Sequence, residues 1–242
     1  MSKVPTSLRT SRDQWLQAFP VDEARRAAKF VYDTWNDLSV RAPKTFHSGR
    51  RENHITERFG MYMPKVSLSK ARLLGWWSYE EPAGESVIID EELTAHSRIR
   101  KDLVYKSNEK AVRVELIFEF KKLEATNGSC KIYLGQNGMR RFVDGEYAKG
   151  LPLALMVGML IGDESACVQT LRRSLLSTAE TADLRMVGDA SGALLREPSG
   201  MFPGVAQFDT EHNRPAASAP SHGTMLLSHI FVRLPHYPIA SE

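Results

Sequence analysis

The sequence predicts an α/β fold, and three stretches carry that expectation. The run Val112-Arg-Val-Glu-Leu-Ile-Phe-Glu-Phe-Lys-Lys-Leu123 alternates in character. Val112, Val114, Leu116, Phe118 and Phe120 fall on one side, and Arg113, Glu115, Ile117, Glu119 and Lys121 on the other, as in a half-buried strand. Upstream, Arg98-Ile-Arg-Lys-Asp-Leu-Val-Tyr105 is also strand-like, and the polar Lys106-Ser-Asn-Glu-Lys110 between the two reads as a hairpin connection. Downstream, a helical segment leads into the apolar run Leu153-Ala-Leu-Met-Val-Gly-Met-Leu-Ile161, a buried strand.

The other elements follow in chain order. Residues 1–10 carry no element signal. Segment 11–39 reads as helical, with start signals at Ser11 and at Val21-Asp22-Glu23 around Pro20, and with Phe30, Val31 and Trp35 as its apolar stripe. A basic loop spans 40–50, and a helix from Glu52 to Met61 is expected to stop at Pro64. Leu73 to Tyr79 reads as a strand and Glu80 to Glu85 as a turn-rich loop. Trp76 and Trp77 there are expected to be one packed and one half-exposed ring. After the alternating strand, Glu124 to Ser129 is a turn and Gly135 to Tyr147 a helix. Asp163-Glu-Ser-Ala166 caps a helix through Leu176, with Val168, Leu171 and Leu175 inward. Residues 188–224, rich in Gly, Pro, Ser and Ala, are expected to be irregular surface structure. Met225 to Val232 is the last strand.

Composition sets the class. With 242 residues, 42% hydrophobic and 25% charged, the chain has enough apolar side chains for a core without staples. We expect a helical extension over residues 1–50 packed on one α/β domain over 51–242. Cys130 and Cys167 form no metal-ligand pattern or disulfide framework, which suits a reducing compartment. The first residues lack the apolar core of a signal peptide, and the run from Leu151 to Gly162 is too short to span a bilayer. A cytoplasmic protein without a membrane partner is the expectation. A net charge of +3 does not argue nucleic-acid binding by itself. The clusters Arg41, Lys44, His47, Arg50, Arg51 and Arg98, Arg100, Lys101 read equally as phosphate contacts or as solvated surface. No phosphate-binding Gly-x-x-x-x-Gly-Lys loop, Gly-x-Ser-x-Gly elbow or His-Glu-x-x-His helix occurs.

The polar face of the alternating strand carries the candidate chemistry. Glu119 and Lys121 project the same way, about 6–7 Å apart at Cα. A turn centred on Glu109-Lys110 sets Asp102 opposite Ile117, with Glu119 its diagonal neighbour within reach of one divalent ion. A turn two residues tighter sets Asp102 opposite Glu115, which makes Glu115 the rival ligand.

An Asp on one strand, then Glu-x-Lys at the end of the next apolar strand, resembles the PD-(D/E)xK (restriction-endonuclease-like) nuclease superfamily. The match is Asp102, Glu119 and Lys121, and Lys101 stands where the motif has proline. Phe118-Glu-Phe-Lys-Lys-Leu123 with Gly138-Met-Arg-Arg-Phe-Val-Asp-Gly-Glu-Tyr147 also resembles a poorly characterised bacterial group with this core. The likeness covers roughly residues 50–163, where helix, strand, strand, helix and strand follow in the superfamily's order.

The resemblance implies a restriction-endonuclease-like core, a mixed central sheet flanked by helices. It implies a Mg²⁺-dependent endonuclease, with Mn²⁺ as a substitute, hydrolysing phosphodiester bonds of DNA or, second, RNA, plausible in restriction or anti-phage defence. Asp102 and Glu119 would hold the metal, and Glu52, on the helix ahead of the sheet, would add an acid, with Glu57 as second choice. Lys121 would position water or neutralise charge on the phosphate. Gln136, on the following helix, would face the site, and Arg100, Arg140 and Arg141 would contact nucleic acid. His212 with Arg214, and His229, are lesser candidates. A chain this size leaves specificity to a homodimer or a partner subunit. The alternative is a catalytically inactive nuclease-like fold that binds nucleic acid or protein.

Overall fold

The computed structural model describes residues 15, 18–83, 86–89, 92–95, 99–108 and 113–236, without the side chains of 68–70 and 80–100. In chain order the elements are α1 (Val21–Arg41), α2 (Glu52–Ala71), β1 (Trp76–Ala83), β2 (Ser86–Ile89), β3 (Glu92–Ala95), β4 (Ile99–Ser107) and β5 (Val114–Leu123). They continue with α3 (Asn127–Leu134), α4 (Met139–Val143), β6 (Leu153–Leu160), α5 (Glu164–Leu175), α6 (Thr178–Asp183), β7 (Ala206–Asn213) and β8 (Thr224–Arg233).

A six-stranded mixed sheet runs in the order β1-β4-β5-β6-β8-β7, and β2 and β3 form a separate hairpin. The β4 strand is antiparallel to both of its neighbours, β1 and β5, while β5, β6 and β8 are parallel, and β7 closes the far edge antiparallel to β8. The expected α/β class is thus observed. Alternation places Leu116, Phe118 and Phe120 of β5 in one cluster with Trp35 of α1 and Ile55 and Phe59 of α2. Ile117 and Leu123 join the other cluster, with Tyr133 of α3, Phe142 of α4 and Leu171 of α5. Both faces of the sheet are therefore covered. That explains why β6 is an unbroken apolar run, buried at every position.

Several boundaries differ from expectation, each for a physical reason. Pro64 lies inside α2, which continues to Ala71 because Met63 and Ser67 on either side of it are buried against the fold. Packing outweighs the missing N–H there. The helix after β5 starts at Asn127, where Thr126 accepts the Ser129 N–H at 3.2 Å, so half of the predicted turn is helical. The predicted helix from Gly135 is instead a turn followed by the short α4. Segment 188–224 contains β7, a strand whose polar residues Asp209, Thr210 and His212 are all buried. Trp77 is buried and Trp76 about half exposed, as expected.

Candidate active site

The two strands that carry the motif part company at the motif. Pairing between β4 and β5 ends at Leu103 opposite Phe118. Beyond that pair β4 stays with β1, and β5 continues alongside β6. Asp102 and Glu119 are the next residue on each strand and stand at the mouth of this fork. The ladder is two residues out of the register expected from a turn at Glu109-Lys110: Ile117 faces Val104, not Asp102. Residues 109–112 of that turn lie outside the described residues. Glu115, the rival ligand, faces Lys106 and is ion-paired with Arg113 at 3.0 Å and Lys106 at 3.9 Å, so its carboxylate is committed elsewhere.

Across the fork, the Asp102 carboxylate accepts the Phe120 N–H at 2.9 Å. Lys121 then gathers the acids. Its ammonium lies 2.9 Å from Glu119 Oε1 and 2.8 Å from Glu52 Oε1, and donates to the Phe120 carbonyl at 2.8 Å. Glu52 comes from the first turn of α2, and its second oxygen accepts the Lys122 N–H at 2.9 Å. Sequence reading expected a half-buried strand with a polar face. Instead Glu119 is 1% and Lys121 6% exposed, because α3 and α4 cover that face.

Burial governs the electrostatics. It raises Glu119 first, the adjacent Asp102 carboxylate raises it further, and the result is a carboxyl pushed up to about 8 against the pull of Lys121 and Arg141. Burial also raises Asp102, opposed by Lys121 and by the Phe120 N–H. For Lys121, burial works against the charge, but Glu119, Asp102 and Glu52 outweigh it and hold the amine above the ordinary lysine range. Three carboxylates thus share two cations, the second being Arg141 at 3.8 Å from Glu119 Oε1. Glu119 Oε2 is buried without a hydrogen-bond partner among the described residues.

Searched against family models, curated proteins and solved structures, the chain matches none.

The remaining predicted residues divide between the centre and the scaffold. Arg141 faces Glu119, fixed by hydrogen bonds to Tyr147 Oη at 2.6 Å, Asn137 Oδ1 at 3.1 Å and the Gln136 carbonyl at 3.2 Å. Arg140 points to Asp144 and Asp183, at 3.8 and 3.6 Å. Gln136 sits exposed in the turn before α4, not on a helix, and among the described residues it makes no hydrogen bond to Asp102, Glu119 or Lys121. The Arg100 side chain lies outside the described residues. Glu57 makes no ion pair with Lys121 among the described residues and lines a separate cleft with Thr45, Arg50, His54 and Arg58.

His212, Arg214 and His229 belong to the scaffold. Tyr133 Oη, His229, Thr210 Oγ1, His212 and the Leu184 carbonyl form a fully buried chain with links of 3.0, 2.9, 2.8 and 2.7 Å. Arg214 donates to the carbonyls of Tyr147 and Ala148. Two contributions escaped sequence reading. The Lys122 ammonium donates to the carbonyls of Ser48 and Arg50, which ties the basic loop to the end of β5. Tyr147 holds Arg141 toward Glu119. The Lys-Lys doublet was the only local sign of the first.

Whether these residues suit a divalent cation turns on the orphaned oxygen. Glu119 Oε2 has no partner, and the Asp102 carboxylate is close enough to raise the Glu119 carboxyl, a pairing that suits one hard cation once Glu119 has lost its proton. Among the described residues, no group of three or more His, Cys, Asp and Glu side chains is arranged to hold a metal. A cation there would be held by these two carboxylates and by waters.

Proposed function

We propose that the chain is a metal-dependent nuclease with a restriction-endonuclease-like core, hydrolysing phosphodiester bonds, in DNA first. The observation that carries this reading is the buried Glu119–Lys121 pair at the point where β4 and β5 separate. A buried ion pair contributes less stability than apolar side chains of the same volume. A buried carboxyl and ammonium with an orphaned oxygen on a central strand therefore support chemistry. The element order around the fork, helix α2, strands β1, β4 and β5, helix α3, strand β6, supports the same reading.

In the mechanism, Asp102 and Glu119 would hold Mg²⁺. The bound ion supplies Lewis-acid polarisation of the scissile phosphate and lowers the pKa of water. Lys121 remains protonated and offsets negative charge growing on the phosphate oxygens. Glu52 and the Phe120 carbonyl orient its ammonium. Arg141 balances the carboxylates, and the α3–α4 layer excludes bulk water from Glu119.

The test is cleavage of plasmid and single-stranded DNA with Mg²⁺, Mn²⁺ or EDTA, beside Asp102→Asn, Glu119→Gln and Lys121→Met. Metal-dependent cutting by the native chain, lost in all three, is the expected result. Cutting retained in all three would remove this site assignment. A second reading, a nuclease-like fold that binds without cutting, draws on the missing third acidic ligand. DNA binding without metal-dependent turnover would favour it. A role in restriction or anti-phage defence, and a cytoplasmic site of action, remain part of this proposal. Among the described residues, no helix is long and apolar enough to cross a membrane.

A further inference from the structure

On the outer side of α2 lies a cleft of about 360 Å³ lined by Thr45, Arg50, His54, Glu57 and Arg58. His54, Glu57 and Arg58 share one helix face, at spacings of three and four residues. Ile55 and Phe59, on the opposite face, are fully buried. Arg50 reaches the cleft from the loop, with Nε donating to the Lys44 carbonyl at 3.2 Å. Among the described residues, His54 and Arg58 form no side-chain hydrogen bond or ion pair. Two guanidinium groups and an imidazole thus face one carboxylate.

Two further features point to an anion. The twenty-residue α2 begins at Arg51 without a side-chain cap, and the Arg51 carbonyl takes only the His54 and Ile55 N–H groups, so the helix's positive end faces the loop that carries Arg50. The loop that carries Arg50 is also held in place: Lys122 grips the Ser48 and Arg50 carbonyls, and the Lys122 N–H binds Glu52. The cleft and the candidate active site therefore share a wall, with Glu52 within about one helical turn of His54. Arginine forks match phosphate oxygens in pairs.

We propose that this cleft is a second phosphate subsite, holding another phosphate of the nucleic-acid strand bound at Asp102 and Glu119. The assignment rests on the nuclease reading for its ligand but not for its test. That test is equilibrium binding of labelled oligonucleotides in EDTA over a range of salt, using ends that are 5′-phosphorylated, 3′-phosphorylated or free.

The Arg50→Ala/Arg58→Ala double variant is expected to bind about tenfold more weakly or worse at low salt. Its slope of log affinity against log salt should be shallower by about 0.7 for single strands or about 0.9 for duplex, the loss of one phosphate contact. Arg50→Lys/Arg58→Lys should keep the slope while losing affinity. An advantage of a phosphorylated end that vanishes in the double variant identifies a terminal phosphate. An equal loss with every end identifies an internal one. Unchanged affinity and slope in a double variant with native melting temperature would overturn the subsite, as would a native chain with no salt-sensitive binding. Native binding with this slope but no cleavage would overturn the nuclease reading and leave the subsite standing.

Discussion

The Asp102 carboxylate accepts the Phe120 N–H at 2.9 Å, one step beyond the last residue pair joining β4 to β5. A side-chain oxygen has taken the place a ladder carbonyl would fill. The strands can therefore separate without orphaning a buried donor, and the space between them is where Glu119 and Lys121 stand.

Cation binding should depend on the Glu119 proton. Its carboxyl is pushed up to about 8, and a metal ligand must be deprotonated. Mg²⁺ affinity without nucleic acid is expected to rise by up to about tenfold per pH unit toward 8 and then level off. Isothermal titration across that range checks it, and Glu119→Gln should be weak and flat. A pH-independent affinity in the native chain would contradict the role of Glu119.

The same group sets one limb of stability in the cation-free protein. Between the ordinary value of 4.5 and about 8, the folded state holds a proton that the unfolded state has lost. Its contribution to stability should fall as pH rises through that window, visible as a net fall between about 6.5 and 8 where the histidines are neutral in both states, and Glu119→Gln should abolish it. Denaturant midpoints at several pH values measure it.

The buried histidines act in the opposite direction. Burial drives His212 down to about 4 and His229 to about 3, against 6.5 when unfolded. Only the unfolded chain binds these protons below 6.5, so stability is lost as pH falls from there toward the folded values. The slope is up to about 1.4 kcal/mol per pH unit for each histidine. In a Glu119→Gln background, His229→Gln should reduce the slope of urea stability between pH 6.5 and 4.5 by about one proton. An unchanged slope would show that His229 is charged in the fold.

Gly158, paired with Lys121, is expected to resist even alanine. A Cβ there would stand 2.7 and 3.0 Å from two ring carbons of Phe231. Gly158→Ala should cost about 1–3 kcal/mol in chemical denaturation. Phe231→Leu in the same chain should recover part of it. No loss on Gly158→Ala would mean that the Phe231 ring moves freely.

Asp209 should be a stability determinant without a catalytic part. Its carboxylate accepts from Ser199 Oγ at 2.7 Å, Ser228 Oγ at 2.6 Å and the N–H groups of Gly200 and Met201. Asp209→Ala orphans these donors and should cost about 3 kcal/mol or more, with cleavage lost only in proportion to unfolding. A large fall in turnover at unchanged stability would contradict this assignment.

Much of the framework was legible because it rests on local periodicity. The alternation of β5, the apolar run of β6, the Asp163 cap of α5 and the last strand all appear where their patterns lie. The misses have a common cause. Pro64 and β7 are governed by partners far along the chain: packing under α2 in one case, and the His212–Thr210–His229 links in the other. The β4–β5 register was open because polar turn residues leave several pairings equally permissible, and one step of two residues changes which acid meets which.

The sequence by itself determined that Glu119 and Lys121 share one face of a strand, since side chains alternate with a period of two whatever surrounds them. It also determined that an Asp stands on the neighbouring strand and that Glu52 opens a helix. Only the tertiary structure decided that the face is buried, that Glu52 and not Glu57 reaches Lys121, and that Arg141 turns toward Glu119. Burial depends on which helices cover the sheet, and convergence on where β4 and β5 separate. Both come from contacts between residues distant in the chain, which local patterns do not encode.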